Sequence, residues 1–283
     1  MSLTDIAYDV RAKEAGLNVY SIAEADADGN CRILNPIPAN PTFNCYSIAK
    51  AFAVLAVGMC YDRGLLDPTT RMTDVLGGYL PADADEKWHK VTLNDILLHR
   101  IGYGEGKLDI DAENVVKWGS TDYLSLALSA PLIHEPGMAR QYTDAAYYLV
   151  SRMVSRVTGE KLVDFLRPVL METMKFKELA WSTCPYGYSM GATGLYLRTE
   201  DIVKLGVLWL RGGDWFGTRI VSETWTQTVI SRGYEFVPKL ADDTSVWYGK
   251  GGMRGQMLTF NPKKGLAVAW NAYGKVPFEA MIN

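Results

Sequence analysis

The 283-residue sequence predicts an α/β fold of the α+β kind: one sheet built from both ends of the chain, with a mostly helical lobe inserted between them. Three observations carry this. A hairpin pattern lies near the start, a second lies near the end, and the stretch between holds apolar residues at helical spacing. The expected layout is one domain over 1–283, with a sheet lobe of about 1–44 and 186–283 and a helical lobe of about 45–185.

The elements follow in order. "LTDIAYDVRAKEAG" (3–16) reads as an amphipathic helix stopped by Gly16. "LNVYSIAEADADGNCRIL" (17–34) reads as two strands joined at Asp-Gly-Asn. A loop with Pro36, Pro38 and Pro41 follows. Helical patterns then cover 48–64, closed by Gly64, then 91–100, 122–130 and 144–159, with Asp144 as the N-cap of the last. "GLYLRTEDIVKLGVLWLRGG" (194–213) is expected to be capped by Thr199 and to end at its paired glycines. "RGQMLTFNPKKGLAVAWNAYG" (254–274) reads as two strands around an Asn-Pro-Lys-Lys-Gly turn.

Composition narrows the function. Hydrophobic residues make up 48% and charged residues 22%, ordinary for a globular protein. A net charge of -3 without a basic run gives no footprint for nucleic acid. The longest apolar stretch, "AFAVLAVGMC" (51–60), is about half of the roughly 20 residues a membrane span needs. The start lacks the basic, apolar and small-residue order of an export signal, so the chain reads as cytoplasmic. Cys31, Cys45, Cys60 and Cys184 have irregular spacing, and reduced buried thiols are expected rather than disulfides or a zinc site. His89, His99 and His134 share no metal-ligand spacing and read as structural; neither a metal nor a cofactor is implied.

Three short stretches carry candidate chemistry. In "FNCYSIAKAF" (43–52), Ser47 and Lys50 are three apart and so share a helix face. With Ser47 at the helix start, its hydroxyl sits among unpaired N–H groups at the positive end of the dipole. Lys50 serves as a base only when neutral, and the apolar run behind it can bury its stem. Alone, the pair also reads as a helix cap beside a solvated lysine. In "EPGMARQYTDAAYYLV" (135–150), Tyr142 falls in the loop before a helix, two residues ahead of Asp144. In "WYGKGGMRGQ" (247–256), Lys250 supplies positive charge for an anionic group. Gly251 and Gly252 let a substrate backbone lie against the sheet edge, and the N–H of Met253 is a candidate oxyanion donor beside that of Ser47. No phosphate loop, G-x-S-x-G elbow or dinucleotide loop is present. Tyr46, Tyr103, Trp247 and Tyr248 are read as core or rim packing.

The order Ser-x-x-Lys, Tyr-x-Asp, Lys-Gly-Gly resembles the serine β-lactamase and penicillin-binding protein clan. It is nearest the branch with class C β-lactamases, D-alanyl-D-alanine carboxypeptidases and related esterases. "VTLNDILLHRIGY" (91–103) is similar to that branch's T-I-x-x-L-L-x-H-T-S-G segment, and "ATGLYLRTEDIVKLGVLWLRGG" (192–213) to its G-G-L-x-S-T-A-x-D-L-A-x-F helix. The resemblance implies a β-lactamase-like fold, an antiparallel sheet flanked by terminal helices. It implies an acyl-enzyme on Ser47, with Lys50 and Tyr142 sharing proton transfer. Asp144, Lys250, Gly251, Gly252 and Met253 would bind substrate or the oxyanion. The expected substrate is a small ester, amide or peptide; the alternative is a penicillin-recognising sensor or a weakly catalytic binding protein.

Three departures temper the resemblance. Asp144 replaces the usual asparagine, and an ionised carboxylate can only accept a hydrogen bond. Its charge would favour the ammonium form of Lys50 and move activity to alkaline pH. Gly251 lacks the hydroxyl that β-lactamases usually carry there, which argues for ester or amide hydrolysis over drug inactivation. After "AVAWNAYGKVPFEAMIN" little chain remains for the family's long final helix.

Overall fold

The computed structural model describes residues 12–241 and 244–282. The helix expected over 3–16 therefore lies mostly outside the described residues. Its last turn, 12–14, is helical, and Gly16 stops it at φ +65°. The chain forms two compact units, one of residues 1–51, 169–180 and 195–283, the other of 52–168 and 181–194. The sequence reading divided the chain near 45 and 186. The residues up to 51 fall with the sheet because the Cys45 N–H donates to Leu195 O at 2.7 Å. Residues 169–180 do so because Asp201 Oδ2 accepts the Lys177 N–H at 2.9 Å and Glu178 pairs with Arg198 at 2.7 Å.

The sheet unit starts with the expected hairpin, β1 (Val19–Asp26) and β2 (Cys31–Leu34). Asp26 closes its turn by accepting the N–H groups of Asp28 and Asn30, each at 3.0 Å. Two short strands, β3 (Thr42–Asn44) and β4 (Leu195–Arg198), pair antiparallel. Four more, β5 (Val237–Ala241), β6 (Val246–Gly252), β7 (Gln256–Asn261) and β8 (Leu266–Ala272), complete the main sheet. Its order is β2-β1-β8-β7-β6-β5, with every neighbour antiparallel.

The pleat sorts β8 between two layers. Val268, Trp270 and Ala272 join Ala12, Val19, Trp247, Phe278 and Met281 in one core, so the first and last described residues pack on that face. Ala267 meets the helix Thr199–Leu210 on the opposite face, where a Cβ on Gly206 would stand 2.8 Å from Ala267 Cβ. The helix approaches that closely because position 206 has no side chain. Its cap differs from expectation. Arg198 is the N-cap, and Thr199 lies within the helix, its hydroxyl accepting from Asn271 Nδ2 at 2.7 Å. Thr199 thereby ties the helix to β8 instead of capping it.

The helical unit centres on Asp144–Thr158, buried from Asp144 through Val154 and closed by Gly159 at φ +78°. The expected cap is displaced by one residue. Thr143 is the N-cap, its Oγ1 accepting the Ala145 N–H at 3.3 Å, and Asp144 is the first helical residue. Helix Leu93–Leu97 carries a capping box between Thr92 and Asp95, and Tyr147 OH donates to Leu97 O at 3.1 Å. Helix Tyr123–Leu128 is capped by Asp122. Tyr103 is buried, its hydroxyl donating to Ala127 O at 2.9 Å, and Trp247 is likewise buried. All four cysteines are free; Cys45, Cys60 and Cys184 are buried as expected, whereas Cys31 is exposed on β2. Among the described residues no helix is long and apolar enough to cross a membrane.

Candidate active site

The first candidate residues sit where β3 turns into a helix. Asn44 Oδ1 accepts the Tyr46 N–H at 2.8 Å, a side-chain turn that holds Tyr46 at φ +46°. A tyrosine in that region is strained, and such strain gathers at functional turns. Tyr46–Ile48 form one 3-10 turn with Cys45 as N-cap, and the α-helix proper runs Ala49–Asp62. Ser47 is thus held in a tight turn ahead of the helix, not at its first position. The sequence logic survives this shift: Lys50 Nζ donates to Ser47 Oγ at 3.1 Å, and Lys50 is 0% exposed. Complete burial works against the ammonium form and so toward the neutral amine that a base requires.

Strand β6 brings the third stretch to the same turn. A Cβ on Gly252 would lie 3.0 Å from Gln256 Cβ and closer still to the carbonyl oxygen of Cys45. The strand can therefore touch the peptide two residues before Ser47 only if position 252 is glycine. Gly251 has no such constraint; the nearest atom to a Cβ there is the flexible Met257 Cε at 3.4 Å. The expectation that these glycines lie at a sheet edge needs qualification. β6 is an interior strand, but its register with β5 stops at Gly249, so Lys250–Gly252 pair only with β7. Met253 falls beyond the strand, at the start of a 3-10 turn Met253–Gly255.

Two residues escaped the sequence reading. Glu235 forms an ion pair with Lys250, with side chains 5% and 10% exposed. The ammonium that was expected to await a substrate anion is matched already, and a neutral pair acts on its surroundings far less than a bare cation. Lys239 lies nearby; burial first, then the Lys250 charge, holds its amine below the usual range. Arg254 follows at φ +60°, its guanidinium 4.9 Å from the Tyr273 ring. The neighbouring phenol oxygens, that of Tyr273 first and then that of Tyr46, which is also hydrogen-bonded to it, favour the Arg254 cation. An arginine three residues after Gly251 was visible in "KGGMRG"; nothing local marked Glu235, fifteen residues upstream.

Tyr142 and Asp144 belong to the helical unit. Tyr142 is 38% exposed and its ring stacks on that of His99 at 4.4 Å. His99 fixes the loop from several sides. Its Nδ1 accepts the Thr143 N–H at 3.3 Å, and its carbonyl accepts the Gln141 N–H at 2.8 Å. These contacts tie His99 to the loop that carries Tyr142. Asp144 is 6% exposed, and carboxylate oxygens of Asp109, Asp111 and Asp144 lie within 4.8 Å of one another. Burial first, and then the Asp144 charge, raise the Asp109 pKa above its ordinary 3.8. The Thr193 hydroxyl donates to Asp111 Oδ2. The Asp144 and Asp111 carboxylates both disfavour the ionised form of Asp109, and an acidic cluster alone does not make a metal centre.

This fold and these motifs match a known family. The family model for Beta-lactamase covers residues 15–281, and the chain belongs to that family. Among curated proteins it is 24% identical over 200 residues to a 6-aminohexanoate-dimer hydrolase of Paenarthrobacter ureafaciens, a match covering 66% of this chain and 50% of that one. The chain spans about half the length of the curated relatives it matches. Among solved structures, a family VIII carboxylesterase superposes with a TM-score of 0.70 at 16% identity, covering 97% of this chain and 94% of that one. A class C β-lactamase of Rhodobacter sphaeroides does so with 0.69 at 17%, covering 97% and 94%. The β-lactamase-like fold, with its antiparallel sheet, is thereby established.

Proposed function

We propose that the protein is a serine hydrolase that cleaves an ester or amide bond through an acyl-enzyme on Ser47. The observation that carries this reading is the 3.1 Å hydrogen bond between Ser47 Oγ and the wholly buried amine of Lys50. In the neutral form, Lys50 takes the hydroxyl proton as Ser47 Oγ bonds to the carbonyl carbon. The N–H groups of Ser47 and Met253 receive the negative charge on the carbonyl oxygen. Collapse of the tetrahedral intermediate breaks the bond to the alcohol or amine, which leaves with a proton. Water then attacks the acyl carbon and restores the Ser47 hydroxyl.

Tyr142 is assigned a share of the proton transfer on the motif resemblance, with His99 as its positioning residue. Gly251 and Gly252 line the substrate strand, and Asp144 is assigned to substrate binding. Lys250 keeps its place in the site, but its Glu235 partner leaves Arg254 as the better candidate for orienting an anionic group. The substrate is a small ester, amide or peptide. The 6-aminohexanoate-dimer hydrolase and the carboxylesterase among the similar proteins support that class, and Gly251 argues against efficient β-lactam turnover.

One other reading has specific support. The charge of Asp144 and the matched charge of Lys250 both favour a slow protein that binds and holds its acyl group, as a penicillin sensor does. Steady-state turnover of p-nitrophenyl esters, linear amides and nitrocefin separates the two. Multiple turnovers on an ester or linear amide support the hydrolase; a single stoichiometric burst with every substrate supports the sensor and refutes the hydrolase.

A further inference from the structure

We propose that the helical unit carries an oxyanion site built on Arg152 and Arg156, made of residues none of which has a role in the hydrolase reading. Tyr148, Arg152 and Arg156 are four apart on the helix Asp144–Thr158 and so stack along one face. Two like charges at that spacing disfavour the helix, an effect that the carbonyl end of the helix partly offsets. Among the described residues no carboxylate pairs with Arg152, Arg156 or Lys161.

Arg152 is the unusual member. It is 7% exposed, and a guanidinium has five N–H donors. One of its donors is taken, by the Tyr148 hydroxyl at 3.1 Å. Its charge is otherwise faced by aromatic rings: Tyr188 at 3.8 Å, Tyr79 at 5.7 Å and Tyr148 at 5.9 Å from the guanidinium carbon. Rings compensate a buried cation only in part, and its remaining N–H groups need acceptors.

Arg152 borders a cavity of about 160 Å³, together with Leu76, Tyr79, Arg156, Gly159 and Tyr188. Ser155 also borders it, but its hydroxyl donates to Ser151 O at 2.8 Å. Lys161 does not border the cavity, but its Nζ lies 5.7 Å from the Tyr188 ring that does. The space is large enough for a tetrahedral oxyanion. A planar guanidinium fork beside a second arginine suits phosphate, which it can bind through two parallel hydrogen bonds. The carbonyl end of the helix lies at Gly159 and opposes an anion, so affinity in the millimolar range is expected. The ligand is inorganic phosphate or the phosphate of a small monoester resting on the tyrosine rim.

The test is titration calorimetry of the full chain with inorganic phosphate and with phenyl phosphate at constant ionic strength, chloride serving as the control anion. Saturable binding of phosphate is expected. Phenyl phosphate binding at least tenfold tighter would identify a monoester as the ligand, and equal affinity would identify the free oxyanion. Arg152→Lys keeps the charge and loses the fork, and is expected to weaken binding at least tenfold. Arg156→Gln, an exposed change that leaves folding intact, is expected to weaken it about threefold or more. No heat beyond that of chloride, or unchanged affinity in both variants, overturns the proposal. Ester hydrolysis plays no part in the readout, so this result and that of the hydrolase test are independent.

Discussion

Gly252→Ala puts one methyl group against the peptide that precedes the candidate nucleophile. The Cβ would sit 3.0 Å from Gln256 Cβ and closer than that to the carbonyl oxygen of Cys45. Neither side yields easily. The Cys45 carbonyl accepts the Ile48 N–H at 3.1 Å, and the Cys45 N–H is bonded to Leu195 O at 2.7 Å. Conformational strain is not the issue, since Gly252 has φ −112°, open to any residue. About 1 Å of displacement is needed at the oxygen, and a shift of that size in a catalytic group costs about 100-fold in rate. Overpacking should also cost about 1–3 kcal/mol of stability. Gly251→Ala is the internal control, because its Cβ meets only Met257 Cε at 3.4 Å and Gln256 O at 3.7 Å. The assay is the single-turnover acylation rate with a p-nitrophenyl ester, with urea unfolding run alongside to separate rate from stability. Gly252→Ala acylating within twofold of the parent refutes the close approach of β6 to the Ser47 turn.

Other predictions follow from the charges. Glu235→Gln removes a buried carboxylate partner of Lys250 and should cost about 3–5 kcal/mol in urea unfolding, much of which Glu235→Gln/Lys250→Met recovers; a cost below about 1 kcal/mol contradicts the pairing. Asp109 has its pKa raised in the folded state, so it binds protons more tightly there than in the unfolded chain. Its contribution to stability is therefore lost as pH rises from its ordinary 3.8 through the raised value. Asp109→Asn should raise Tm at pH 7 and flatten the change in Tm above pH 4; a lower Tm at pH 7 contradicts the cluster's mutual repulsion. Asp144→Asn should move the rising limb of kcat/KM to lower pH, because on the proposed roles the carboxylate favours the ammonium of Lys50. Superimposable pH profiles remove that role from Asp144.

What the sequence disclosed depended on range. Ser47 and Lys50 were legible because a three-residue spacing settles their contact within a single helical turn, 3-10 or α. The β1–β2 and β7–β8 hairpins were legible for the same reason, since their turn residues stand between the strands they join. Neighbouring candidates blurred the caps: Thr143 and Asp144 are both good cap formers, and only the geometry chooses Thr143. The end of β6 was hidden by its glycines, which leave no alternation of side chains to follow past Lys250. Long-range pairings were out of reach. Nothing near Glu235 signals Lys250, and nothing near Cys45 signals that Gly252 must leave it room.

Intact-mass spectrometry of the protein quenched within seconds of mixing with an activated ester tests the central claim most directly. One acyl group should appear on the peptide 43–52 at Ser47, fade as product forms, and be absent in Ser47→Ala, with Lys50→Met slowing its appearance at least 100-fold. Acylation that persists in Ser47→Ala, or that proceeds at the parental rate without Lys50, would contradict the account.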